Sequence, residues 1–505
     1  MKDNVFKNSV TSMFVQLAVT AQGLVIPRII ITNFGSNING LVASLTQFLN
    51  FFAIVEGGIS GVVLAALYAP LAKKDNRKLS QVIITARGFL KKLGIIFVVY
   101  TMVLALIYPI VVNKYSHIFL AGLTVILSAT MFMQYYFTLL PQLLIRADDK
   151  YYVCNIVQCL FILLNISAAI ISVKIFPSII TLKLFSSIVY IIQPYILNKY
   201  IEKKYIIDNT VDLDTNLIKE RWNGFGISLA NLVTTNTDVI VITLFSTLSN
   251  VSVYTIYNQI LFAVKGITNS ISNGYQAQLG LTYAQNDSVK LNIIFSEYRF
   301  FVNYIATLFF SSCMELIVSF VMIYTSGVND ANYNQALFAL LLCVSQLLIC
   351  AREPYIQLTY CAGKFKETSK YAYLEASTNI LISVFFVYKY GLVGVTIGTI
   401  VSILLRLFMT VIYINRRMNI EILCNMITEF IIMAVAVCCS VLVTSFLISL
   451  NPENFIQWFI TGIKCFGINI ICITIVFFPR YHSEIRNMLK KISKLLNGMV
   501  KTIAK

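Results

Sequence analysis

The stretch Ile26–Leu67, IPRIIITNFGSNINGLVASLTQFLNFFAIVEGGISGVVLAAL, decides the fold. Two long apolar runs flank the uncharged turn TNFGSNIN, the pattern of two membrane helices joined by a short loop. Pro27 and Arg28 sit inside the first run, and Glu56, Gly57 and Gly58 inside the second. A charge at the centre of a lipid-facing helix costs about 2.5–3.5 kcal/mol on insertion scales, so Arg28 and Glu56 are expected to face protein or a water-filled cavity. The competing reading has Arg28 reaching for the outer interface and Glu56 hydrogen-bonded between helices.

Working outward, the same pattern recurs along nearly the whole of the 505 residues, which are 58% hydrophobic and only 12% charged, with a mean hydropathy of +0.78. Fourteen spans are predicted, at about 9–31, 40–69, 91–112, 118–142, 151–173, 177–198, 223–246, 252–282, 299–325, 335–361, 371–388, 391–415, 422–450 and 455–478. The chain thus reads as an all-α integral membrane protein. The first run is too long for a signal h-region and is read as a retained span. The 11 cysteines lie in apolar runs without paired spacing, and there are only 2 histidines. Neither a disulfide framework, a metal centre nor a catalytic triad is expected.

The loops give the orientation. Of 39 Lys and Arg, six lie inside spans (Arg28, Lys183, Lys265, Arg352, Arg406, Lys464), three on one side (Lys114, Lys174, Lys389), and the remaining 30 on the other. The basic side is expected to be cytoplasmic, with both termini on it. A net charge of +17 spread over many short loops in this way answers to topology, not to nucleic acid. The segment 480–505 places Ile485, Met488, Leu489, Ile492 and Leu495 at helical spacing among seven basic residues and one acid, and reads as an amphipathic helix on the anionic leaflet.

The chain also reads as duplicated. Phe34, Asn39 and Phe51 answer to Phe245, Asn250 and Phe262, Pro141 to Pro354, Asn165 to Asn379, and Thr181 to Thr396. The expected organisation is a first lobe at 1–199 with spans one to six, a cytoplasmic linker at 200–222, a second lobe at 223–418 with spans seven to twelve, spans thirteen and fourteen at 419–479, and the tail at 480–505. Six spans per half give both halves one orientation, as in transporters whose lobes rock about a central site.

PRIIITNFGSNINGLV, EGGISG, LLIRADDKYY, NLVTTNTDVIVI, CAGKFKET and GLVGVTIGT together resemble the Wzx-type oligosaccharide flippases of the multidrug/oligosaccharidyl-lipid/polysaccharide (MOP) superfamily, over about residues 5 to 480. Lipid II flippases of the MurJ type are more distant, with a fourteen-span plan and an EG step in span two. The MurJ type carries several arginines in its first cavity helices; the first two spans here hold only Arg28. The resemblance implies two six-helix lobes plus two C-terminal helices. It also implies movement of an undecaprenyl-pyrophosphate-linked glycan across a bacterial cytoplasmic membrane for surface polysaccharide synthesis, beside a polymerase and a chain-length regulator. A MATE-like multidrug exporter and a lipid II flippase are the alternatives. A membrane glycan polymerase, an enzyme, normally has a long outer loop, and every outer loop here is short.

The cargo would need cations for its pyrophosphate. Arg28 offers a guanidinium that binds phosphate bidentately. Lys265 precedes Gly266 in span eight, and Arg352 and Glu353 precede Pro354 in span ten. For each the alternative is a structural ion pair, as for Arg406, Lys183 and Lys464. In span seven, Asn231, Thr234, Thr235, Asn236, Thr237 and Asp238 form an unusually polar patch. It either lines water or ligand, or glues helices together. On the first reading Asp238 and Glu56 bind a coupling proton or sodium ion, with no other cofactor.

Overall fold

The helix that carries Pro27 and Arg28, α1 (Lys2–Phe34), runs unbroken through the proline. It ends at Gly35, whose φ of +85° is a conformation glycine adopts without a Cβ penalty. That turn aims the Ser36 amide at the Asp330 carboxylate, 2.6 Å away, and α2 (Ser36–Asn50) begins. The computed structural model describes residues 2–53, 59–208, 210–212, 225–285, 287–418, 422–450 and 452–503, and every regular element among them is helical. The span predicted at 40–69 is divided into α2 and α3 (Ile59–Lys73). Glu56, with Gly57 and Gly58, lies outside the described residues.

Onward run α4 (Asn76–Val111), α5 (His117–Met133), a π-helical turn at Gln134–Thr138, α6 (Leu139–Ala147), α7 (Tyr151–Ile175) and α8 (Ile179–Lys204). Then come α9 (Phe225–Phe245), α10 (Leu248–Ala284), α11 (Ser288–Tyr324), α12 (Ala336–Cys361), α13 (Phe365–Tyr390), α14 (Leu392–Arg417), α15 (Leu423–Leu447) and α16 (Phe455–Ile503). Ten helical stretches among the described residues are long and apolar enough to cross a membrane. Their outer faces are apolar, with Leu106, Ile110, Ile118 and Phe446 each more than 70% exposed, while Asn165, Asn379 and Glu375 are buried. Apolar side chains thus cover the outside while these polar groups turn inward, because lipid cannot satisfy a hydrogen-bonding group.

Two compact units make up the chain, one of residues 1–259 with 327–331 and one of 260–326 with 332–505. The division between these units falls inside α10. The reason lies in polar contacts that hold α9 and the start of α10 to α2. Asn39 donates to Ser252 at 2.8 Å, Thr243 donates to Ser44 at 2.8 Å, and Tyr108 closes on the same Ser44 at 2.9 Å. Around them the first unit buries Leu41, Leu45, Leu49, Phe97 and Leu182 in one cluster. A second cluster has Val63, Leu67, Ile83, Leu144 and Leu197.

In the second unit, α13 and α14 pack so closely that a Cβ at Gly398 would lie 2.8 Å from the backbone nitrogen of Ser383, and one at Gly394 would overlap the Phe386 carbonyl. Glycines four apart let two backbones approach in a membrane, where packing and not hydrophobicity drives helix association. Gly398→Leu is expected to force the pair apart at about 1–3 kcal/mol, the usual penalty of overpacking. A lowered midpoint of heat-induced aggregation in detergent checks this, and an unchanged midpoint refutes it. The helix α16 breaks at Tyr481 (φ −120°, ψ 29°). Tyr481 and Ile485 are buried, Tyr481 lying 5.0 Å from the Phe300 ring. The first turn of the predicted tail therefore belongs to the core, and the side chains from 487 on lie outside the described residues.

Candidate functional site

In the second unit the structure brings the predicted residues of spans eight and ten together. Lys265 on α10 lies within electrostatic reach of Arg352, Glu353 and Glu375. Its neighbour Thr268 is 3.1 Å from the Cys350 sulfur, two residues before Arg352. Arg352 bonds Glu375 of α13, and the other Glu375 oxygen takes Arg406 of α14 at 2.7 Å. Glu375 is wholly buried, so one carboxylate is clasped by two guanidiniums where lipid-depth burial would otherwise make all three costly. Glu353 is half-buried and accepts from Gln357 at 2.7 Å, within its own helix. Three cations (Lys265, Arg352, Arg406) face two acids (Glu353, Glu375), which leaves the cluster with one net positive charge.

Where α13 begins and α14 ends, the same unit holds a cavity of about 620 Å³. Lys364, Lys366, Lys370, Arg416 and Arg417 line it, with Glu367 the one acid. Lys364 and Glu367 are 3.7 Å apart and exposed, a weak pair in water. As sequence, these cations marked only topology; folding gathers them from two loops into one anion-attracting mouth.

In the first unit Arg28 is half-buried on α1. Asn236, Thr237 and Asp238 are buried on α9, and Asp238 accepts a hydrogen bond from the Tyr254 hydroxyl of α10 at 2.8 Å. The side chains of Asn231 and Thr234 lie outside the described residues. Lys183 is half-buried on α8, and Lys464 is exposed on α16.

Other charged contacts were not legible as sequence. Arg299, counted on the basic side at the very start of span nine, is buried and meets Glu429 of α15 at 2.8 Å, and Asn303 donates to Glu429 at 3.2 Å. Glu315 takes a hydrogen bond from Asn469 of α16 at 3.1 Å, and Thr444 donates to the same Asn469 at 3.2 Å. Such pairs fix α15 and α16 to α11. The usable signals were Glu315 and Glu429 themselves, since an acid inside an apolar run requires a partner. No cluster able to hold a metal ion occurs among the described residues.

No family profile matches the sequence, and no curated protein does. The fold, however, has solved neighbours. It is similar to the lipid II flippase MurJ in an inward closed conformation, with a TM-score of 0.74 and 14% identity over 95% of this chain and 99% of that one. It is similar to an inward-facing multidrug resistance MATE family transporter of the MOP superfamily, with a TM-score of 0.65 and 13% identity over 81% of this chain and 99% of that one. A MOP superfamily transporter from Pyrococcus furiosus aligns with a TM-score of 0.62 and 12% identity, over 82% and 96%. These neighbours are flippases and transporters, not enzymes. This chain is a multi-pass helical membrane protein with the fold that MurJ and the MATE transporters share.

Proposed function

We propose that the protein moves an undecaprenyl-pyrophosphate-linked oligosaccharide from the cytoplasmic to the outer face of a bacterial membrane by alternating access, as a Wzx-type flippase supplying surface polysaccharide synthesis. The observation that carries this reading is the intramembrane excess of cations over acids around Lys265, Arg352 and Arg406. A pyrophosphate cannot cross hydrocarbon without replacements for its water, and fixed cations supply them. The basic cavity at Lys364 and Arg416 would collect the same group from the cytoplasmic side. The likeness to a lipid-linked-substrate flippase over 95% of the chain, against 81–82% for the two transporters, supports a flippase over a drug exporter.

In this reading Arg28 is the first-lobe cation for the pyrophosphate and Asp238 the carboxylate whose charge answers to a proton or sodium gradient. Arg28→Ala is expected to abolish export of lipid-linked oligosaccharide while the protein still inserts, and Arg28→Lys to restore it in part, because a point charge lacks the guanidinium fork. The check is flux of labelled lipid-linked oligosaccharide in proteoliposomes, with surface glycan in cells at matched expression. Normal flux with Arg28→Ala removes that role. A wild-type protein that moves cationic dyes but no lipid-linked oligosaccharide removes the function.

A further inference from the structure

The first unit contains a second polar space that the charged groups do not reach. It is a cavity of about 180 Å³ among α1, α5, the π-turn, α6, α7 and α8, walled by Gln22, Gln134, Gln142, Gln158, Gln193 and Tyr190. Gln22 and Gln134 lie near the middles of their helical stretches, and Gln142 and Gln158 lie nearer the ends that meet at Arg146 and Lys150. Two threonines and two aliphatic residues complete the lining, which holds no Asp, Glu, Lys, Arg or His.

Local structure explains the convergence. At the π-turn the Leu139 amide reaches back to the Gln134 carbonyl, five residues earlier. The wider turn sets Gln134 and Thr138 on one wall and rotates the next turn so that Gln142 joins them. Gln22 is anchored, its Nε2 donating to the Tyr190 hydroxyl at 2.8 Å and to Asn165 at 3.2 Å. The other four amides are not anchored. Gln193 is only 8% exposed, yet its amide has no hydrogen-bond partner among the described residues, and neither do those of Gln134, Gln142 and Gln158. An amide that opens on a cavity without a protein partner takes its hydrogen bonds from whatever fills the space, and four on one cavity suit a ligand that brings donors and acceptors together.

The lining selects the chemistry. Without a carboxylate it lacks the charge that favours a metal ion or an organic cation, and without a basic group the charge that favours phosphate. An amide presents two donors and an acceptor, which complements a hydroxyl that is both. At about 30 Å³ per water in the liquid, the volume equals roughly six waters, room for one sugar ring and well below a drug-sized pocket. We propose that this cavity is a neutral-sugar subsite that holds one pyranose ring of the glycan during passage. The assignment rests on the oligosaccharide reading above and adds what that reading leaves open, a place for uncharged sugar apart from the pyrophosphate.

The test uses the full chain in lipid nanodiscs with methyl glucoside and methyl N-acetylglucosaminide as probes, read by saturation-transfer difference NMR, and with pyrophosphate and tetramethylammonium as charged controls. The wild type is expected to give signal from a glycoside. Gln158→Leu with Gln193→Leu is expected to weaken that signal roughly tenfold, the scale of one to two lost hydrogen bonds. Leucine suits a membrane helix, so folding is preserved, and Gln193→Asn keeps an amide and should retain part of the signal. The same variants are then assayed for flux of lipid-linked oligosaccharide extracted from glycan-producing cells, which should slow in step. Absence of any glycoside signal in the wild type, or glycoside signal and flux both unchanged in the leucine variant, overturns the subsite and leaves the flippase reading standing. Glycoside binding that depends on the glutamines, in a protein that moves no lipid-linked oligosaccharide, keeps the subsite and overturns the flippase reading.

Discussion

Glu375→Ala is expected to be the most damaging single substitution in the second unit, lowering stability by about 3–5 kcal/mol, the range for breaking a buried ion pair. The carboxylate is fully buried, with Arg352 on one oxygen and Arg406 on the other. Removing it leaves two guanidiniums from α12 and α14 facing one another without a counter-charge. Glu375→Gln keeps a hydrogen-bond acceptor but no charge and should fall between alanine and wild type. Arg406→Leu should be milder than Glu375→Ala, because Glu375 retains Arg352. The measurement is the fraction that stays monodisperse after heating in detergent, followed by size-exclusion chromatography. Equal survival of Glu375→Ala and wild type would mean that water solvates the guanidiniums and that the triad does not hold the three helices.

Gly40→Ala is expected to open the contact between the ends of α2 and α10. A Cβ there would overlap the carbonyl oxygen of Leu248 and lie 2.7 Å from its carbonyl carbon. The obstacle is backbone, so no side-chain rotation relieves it, and the two helices must separate at about 1–3 kcal/mol. Two hydrogen bonds span the gap, Asn39 to Ser252 at 2.8 Å and Ser249 to Asn37 at 3.1 Å, and both should break. The readout is cross-linking of an Asn37→Cys, Ser249→Cys pair with a short thiol reagent, scored as the linked peptide by mass spectrometry so that the 11 native cysteines do not interfere. A large loss of linked peptide with Gly40→Ala is the expected result. Undiminished linkage refutes it. Because a substitution shifts a conformational equilibrium only by its differential effect on the two states, transport should fall only if the cycle passes through the closed contact.

Much of this was legible in the residues. Apolar runs of membrane length, broken by uncharged turns on one side and basic loops on the other, decided the helical membrane fold. The helix walls then followed from single residues, as with Gly35 between α1 and α2. The intramembrane charges were legible as positions. Lys265, Arg352 and Glu353 were named, and the structure places them in one cluster. What they bind was not legible, since Glu375 stood in the sequence as one more acid near a helix start, and Arg299 as one more cation at the basic end of a span.

The sequence by itself determined which groups lie at membrane depth, because the cost of a charge or amide in hydrocarbon depends on its position along an apolar run. Only the tertiary structure decided which of those groups meet. Helical periodicity puts Gln134, Gln158 and Gln193 each on some face of its own helix, but which faces turn to one another is set by close packing among helices remote in sequence. A single π-turn changes the answer for every residue after it, and no apolar pattern records that turn. The same holds at Glu375, where one carboxylate resolves two arginines into a structural clasp and leaves Lys265 beside it as the cation outside that clasp.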